Sequence, residues 1–173
     1  MFATIYLPNF YLQAALRHQA ELAAQPVALL DDQEAKAVII QLNQAAEDVG
    51  VRCGMTPSQG LARYLALTVK TRLRAQEKLL DELLLQFAYT LAPYVEATAP
   101  GVCTVQFTDP KNILRNVERV IAQLDEAGIT GQAGIAPTPD ASFLAAHLAK
   151  PVLQVDDAKD FLAPLPIETL EVA

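Results

Sequence analysis

The opening stretch MFATIYLPNFYLQAA constrains the chain more than any other. Phe2 to Leu7 is an apolar run that fits a strand, Pro8-Asn9 is a tight turn, and Phe10, Tyr11 and Leu12 lead directly into a helix. A strand that stops at a turn, with a helix following at once, leaves two or three side chains at the lip of a sheet. Sites in α/β proteins are commonly built at such an edge.

The chain is 173 residues long and 52% hydrophobic, enough for one ordinary domain or two small lobes with a real core. It has no apolar run of the roughly 18 residues a spanning helix needs, so no membrane span is expected. The N-terminus carries no basic region or cleavage signature, and Cys53 and Cys103 form no C-x-x-C, so a reduced cytoplasmic protein is expected. His18 and His147, without a cysteine cluster, do not make a structural zinc site. The net charge of −7 argues against strong binding to nucleic acid, which draws its affinity from clustered Lys and Arg.

In chain order, Asn9 is placed to cap a helix to about Ala24, and PVALL (26–30) and AVIIQ (37–41) read as strands of a hairpin about an acidic turn beginning Asp31-Asp32. Gln44 to Val49 is a short helix stopped by Gly50. Thr56-Pro57 opens another, to Tyr64, and Leu67 to Lys70 is a short strand. Arg74 to Ala92 is the longest helix, with Leu80, Leu84, Phe87 and Leu91 on one stripe. Strands Tyr94–Thr98 and Val102–Phe107 flank a bend at Pro100-Gly101. A helix follows over 110–127, opened by Asp109-Pro110, then a strand at Gln132–Ala136, a helix from Thr138-Pro139 to Ala149, and a strand at Pro151–Val155. Residues 1–10 and 74–165 thus predict a mixed sheet with two long helices on one face, and residues 11–73 an inserted small α/β lobe. The tail from Phe161, with two prolines, reads as a linker, its last part 166–173 leading toward a further domain.

Four phrases in this order resemble the Y-family translesion DNA polymerases. They are MFATIYLPNFYLQAALR with QPVALLD, NQAAEDVGVRCGMTPSQGLAR, YVEATAPGVCTVQF, and AGITGQAGIAPTPDASFLAAHLAKP. The likeness is nearest to the inactive ImuB-type mutasome subunits of that family. It implies an α+β fold: a polymerase palm (1–10 and 74–165), ferredoxin-like with helices on one face, and inserted fingers (11–73).

The departures from the family pattern shape the functional expectation. The family's first-strand motif, D-x-D-x-F-[FY], falls on Tyr6-Leu7-Pro8-Asn9-Phe10-Tyr11, so Tyr6 and Pro8 stand at the acid positions. The acidic pair of S-x-D-E falls on Gly101 and Val102. Phosphoryl transfer to a 3′-hydroxyl uses Mg²⁺ ions held by hard carboxylate oxygens, and none of these four residues supplies one. The family's Tyr and Arg contacts to the triphosphate fall on Gln44 and Glu47. Tyr11 retains the aromatic that in the family polices the sugar 2′ position, and Lys150 retains the cation of the "KP" phrase.

By this resemblance the chain is expected to be a non-catalytic relative acting in DNA repair, translesion synthesis and damage-induced mutagenesis. It would be an adaptor for a replicative-type polymerase and the sliding clamp through C-terminal parts, with weak DNA binding, no metal and no cofactor of its own. Two alternatives stay open: an active error-prone Y-family polymerase with relocated ligands for Mg²⁺, or a palm-like protein-interaction module without DNA contact.

Other charged groups have plainer readings. Lys111, Arg115 and Arg119 lie at i, i+4 and i+8, and Lys70, Arg72, Arg74 and Lys78 form a second basic cluster. Either could meet phosphate, and either could be a solvated face balanced by nearby Asp and Glu. Asp31-Asp32 and Asp156-Asp157 follow apolar strands and read as turn residues. His147 has no nucleophile at a suggestive spacing, Cys103 reads as core, and Gly134 sits in no G-x-G-x-x-G phrase.

Overall fold

The computed structural model describes residues 1–31, 37–109, 111–167 and 169. Its strands are β1 (Phe2–Tyr6), β2 (Val27–Leu30), β3 (Ile39–Leu42), β4 (Thr68–Thr71), β5 (Tyr94–Ala99), β6 (Val102–Gln106), β7 (Gln132–Ala136) and β8 (Val152–Gln154). Its helices are α1 (Phe10–Leu16), α2 (Gln44–Asp48), α3 (Pro57–Arg63), α4 (Arg74–Tyr89), α5 (Ile113–Glu126), α6 (Pro139–Leu148) and α7 (Ala158–Leu162). The chain forms two compact units, Met1–Pro8 with Leu80–Ala173, and Asn9–Leu79.

The first unit is built on a five-stranded mixed sheet in the order β5-β6-β1-β7-β8. The apolar strand seen at the N-terminus takes the central place, antiparallel to β6 on one edge and to β7 on the other. Ile5 lies opposite Cys103 and Ala133, and Ala3 opposite Val105 and Ile135, so these residues share one face; all are at most 1% exposed. Helix α5 covers that face with Val117, Val120 and Leu124, all fully buried. Leu84 and Leu85 of α4 line a shallow cavity with Ala97 and Ala99 of β5, which sets α4 over the same face. This is the expected α+β arrangement of a mixed sheet with two long helices on one side.

The opposite face carries α6, and here tertiary geometry adds what the periodicity did not show. Thr4 of β1, fully buried, bonds Ser142 of α6 at 2.8 Å and Thr104 of β6 at 3.1 Å, and Thr104 bonds Thr98 of β5 at 2.9 Å. The Ser142 hydroxyl donates to the Pro139 carbonyl at 2.7 Å. Each hydroxyl has a single proton, so this last bond fixes the direction of the whole chain. Thr98 donates to Thr104, Thr104 to Thr4, and Thr4 to Ser142, which ties α6 across three strands without an orphaned donor.

In the second unit β2 is the middle strand of the order β3-β2-β4, antiparallel to β3 and parallel to β4. All four residues of VALL are buried because both faces are covered. Val27 and Leu29 pack with Leu12 and Ala15 of α1, while Ala28 and Leu30 pack with Leu42, Ala46, Val51 and Leu67. Thr56 makes a full capping box with Gln59 ahead of Pro57, as its residues imply.

Several expectations are corrected. The helix expected from Asn9 to about Ala24 ends at Leu16, with a separate 3-10 turn at Ala20–Leu22. Asn9 does not cap it: its backbone is left-handed (φ 49°) and its side-chain amide donates to the Leu42 carbonyl at 3.4 Å. The tail is not without structure, since α7 brings Phe161 against the cluster of Ala136, Ala141, Ala145 and Val155. Asp32 and Pro110 lie outside the described residues, and α5 begins at Ile113 after Asn112.

Gly134 of β7 shows why α6 lies so close to the sheet. A Cβ there would run into the backbone of Ser142, Ala145 and Ala146. Gly134→Ala is therefore expected to cost at least about 2 kcal/mol in urea unfolding, since rigid backbone on α6 has to move. Burial also pushes the Cys103 thiol up to about 12, so at pH 8 it stays protonated as well as shielded. Thiol titration at pH 8 should count one reactive cysteine, the exposed Cys53, in native protein and two after denaturation.

Candidate functional site

The lip at the end of β1 is built by β1, its neighbours β6 and β7, the β5–β6 bend, α4 and α6 of the first unit. Tyr6 lies opposite Val102 on one side and Gln132 on the other. The Leu7 N–H donates to the Gly101 carbonyl at 2.9 Å, closing the β5–β6 bend onto β1. Gly101 has φ 72°, which an L side chain rarely adopts, and its N–H donates to Asp81 Oδ1 of α4 at 2.8 Å.

Tyr6 stacks on His147 of α6, with ring centroids 4.0 Å apart and planes at 23°, and His147 lies 4.5 Å from Phe143. The His147 Nδ1 sits 2.9 Å from the Phe143 carbonyl. A carbonyl only accepts, so Nδ1 carries the proton in this contact. Burial pushes the Tyr6 phenol up from its ordinary value, so it stays neutral at physiological pH. The position is thus occupied by an aromatic stack with a neutral phenol. The sequence held no sign of this pairing, because Tyr6 and His147 meet only through the packing of α6 on β1. The Asp81 contact with Gly101 was hidden in the same way.

Divalent ions, which the family resemblance implies, would need hard anionic ligands here. Tyr6, Pro8, Gly101 and Val102 offer no carboxylate, and among the described residues no group of three or more His, Cys, Asp or Glu converges to hold a metal. The residues present at the lip do not fit a metal pair, with Asp81 the carboxylate that reaches the bend.

Lys150 is exposed and lines an open cavity of about 570 Å³ with Glu118, Asp125, Thr130 and the apolar Ile121 and Val152. Two carboxylates therefore share the surroundings of the cation that the "KP" phrase retains.

In the second unit Tyr11 lies under a guanidinium. The Arg72 Cζ is 3.6 Å from the Tyr11 ring centroid. Arg72 also grips Glu77 with both arms of its fork, Nε to Oε1 at 2.9 Å and Nη2 to Oε2 at 2.7 Å. Asp31 Oδ2 is 3.7 Å from Arg72, and Asp31 Oδ1 is 3.3 Å from Arg74. The hydrogen bond to Glu77 raises the Arg72 pKa further above its ordinary value. The basic cluster at 70–78 is thus largely engaged: Arg72 and Arg74 pair with acids, and Lys78 also has a partner. Asp31 is an ion-pair partner rather than merely a turn residue. Gln44 and Glu47 are exposed; Gln44 donates to Asp48 at 3.0 Å and the Glu47 carbonyl accepts from Arg52 at 2.7 Å.

A model of the impB/mucB/samB family matches residues 5–147. The chain belongs to the impB/mucB/samB family. This is the Y-family polymerase group that the sequence phrases resemble. DNA polymerase IV of Pseudomonas savastanoi pv. phaseolicola is 28% identical over 172 residues, covering 93% of this chain and 48% of that protein. DNA polymerase IV of Pectobacterium atrosepticum is 26% identical over 175 residues with the same coverage, 93% and 48%. Among solved structures, a post-insertion binary complex of Dbh DNA polymerase superposes with a TM-score of 0.86 at 16% identity, covering 97% of this chain and 52% of that one. DinB from Sulfolobus solfataricus gives 0.83 at 15% identity, covering 97% and 52%. The structures establish the Y-family palm fold. The chain spans about half the length of the curated relatives it matches. The matches reach the family without singling out the ImuB-type subunits. They also overturn the expectation that this chain is not an enzyme, because the relatives are named as polymerases. No described helix is long and apolar enough to cross a membrane.

The Arg72–Glu77 pair is the most tightly engaged charge in the second unit, with side chains 10% and 9% exposed. Arg72→Ala leaves the buried Glu77 carboxylate with the longer 3.8 Å contact to Arg74 in place of the fork, and uncovers Tyr11. It should lower stability by about 3 kcal/mol in urea, and a double-mutant cycle with Glu77→Ala should recover part of that loss.

Proposed function

We infer that the chain is the palm and fingers of a translesion DNA polymerase, extending a primer opposite damaged template. The palm is residues 1–8 and 80–173 and the fingers residues 9–79, following the two compact units. The observation that carries this reading is the 28% identity, spread over 93% of the chain, to a protein named DNA polymerase IV. The palm fold shared with Dbh DNA polymerase supports it. The sliding clamp and a replicative-type polymerase belong to the reading as partners of the whole protein.

The reaction joins the primer 3′-oxygen to the α-phosphorus of a nucleotide and releases pyrophosphate. Since the lip residues do not fit a metal pair, no step is assigned to a metal. What the chain itself supplies at the lip is a rigid bend, the Tyr6–His147 ring stack and the charge of Asp81. Asp81→Asn removes that charge and keeps an oxygen to accept the Gly101 N–H.

The full-length protein should extend a labelled primer with all four deoxynucleotides in Mg²⁺ or Mn²⁺. Asp81→Asn should lower the rate at least about tenfold with DNA affinity unchanged, as expected for a charge that acts on the reacting groups. Absence of extension by the native protein in either ion would sink the polymerase reading. An unchanged rate in Asp81→Asn would remove only the role given to Asp81.

A further inference from the structure

We propose that the outer face of α5 is a second DNA-contacting surface, separate from the lip, that grips the phosphate backbone through Arg115 and Arg119. Asn112, Arg115, Asn116 and Arg119 line an open cavity of about 430 Å³. Every charged group on this lining is a cation, and the two amides add further N–H donors. A phosphodiester only accepts hydrogen bonds, so the chemistries are complementary, and the planar guanidinium fork suits two phosphate oxygens at once.

The charges on this surface are not spent inside the protein. Among the described residues, no carboxylate forms an ion pair with Lys111, Arg115 or Arg119. Arg72 and Arg74, by contrast, are committed to Glu77 and Asp31. Two of the three acids of α5, Glu118 and Asp125, line the different cavity that contains Lys150. A local cationic face in a chain of net charge −7 is also a focusing device, since an approaching anion is attracted here and repelled by the acidic remainder.

Spacing favours a nucleic-acid strand over an acidic peptide. A step of four residues along a helix advances about 6 Å, so Arg115 and Arg119 of α5 stand about 6 Å apart along its axis. One strand of duplex DNA presents a phosphate about every 3.4 Å along the axis, so the two guanidiniums face two or three phosphates of one strand.

The inference rests on the reading that the protein handles DNA, and its test separates the two. Primer–template binding by the full-length protein is followed by fluorescence anisotropy from low to high salt. The Arg115→Ala/Arg119→Ala double variant should lower the magnitude of the slope of log affinity against log salt by about two, as loss of two phosphate contacts requires. Arg115→Lys/Arg119→Lys should keep most of the slope, and the exposed pair Arg63→Ala/Lys159→Ala should leave it unchanged. Extension at saturating DNA should be preserved in the double Ala variant, and circular dichroism should match the native protein. An unchanged slope in a protein that binds and extends DNA overturns this surface and leaves the polymerase reading intact. Absence of any salt-dependent DNA binding by the native protein overturns both. Displacement of a bound polyglutamate peptide by the double Ala substitution, with DNA binding untouched, overturns the DNA surface in favour of an acidic protein partner.

Discussion

Strand β1 is hydrogen-bonded along both edges and covered on both faces, and the first unit is arranged by that constraint. The middle of such a strand cannot leave a polar group unpaired, because no water reaches it. Its inward residues toward α5 are Ala3, Ile5 and Leu7, all fully buried. Its residues toward α6 are Thr4 and Tyr6, and each meets a partner: a hydroxyl chain for Thr4, a ring stack for Tyr6. The close seat of α6 follows from the missing side chain at Gly134 together with those two contacts.

The same seat of α6 decides the character of the lip. It sets His147 against Tyr6, so the end of β1 presents stacked rings where the family pattern has an acid. The bend at Gly101 is held from the other side by Asp81, so the negative charge at this edge comes from a helix rather than from the strands. Membership of the polymerase family and a lip of this composition stand together as findings about one molecule.

Charge elsewhere divides into two kinds. Around Tyr11 the arginines and acids consume one another in a half-buried network whose order fixes the ring. On α5 the two arginines line one open cavity while Glu118 and Asp125 line another, and both groups stay in water, which leaves the guanidiniums available.

The apolar runs VALL and ATIYL, the Thr56-Pro57 helix start, and the stripe Ile113, Val117, Val120, Ile121, Leu124 were legible from residue order alone, because they depend on neighbours a few positions away. They determined the α+β class, the strand and helix succession, and the absence of strand-end acids at Tyr6 and Pro8. Only the tertiary structure decided which groups those elements bring together. Tyr6 and His147, Asp81 and Gly101, and Arg72 over Tyr11 are pairs joined by packing between elements. Local periodicity says which face of an element is buried, and nothing in it says what that face will be buried against.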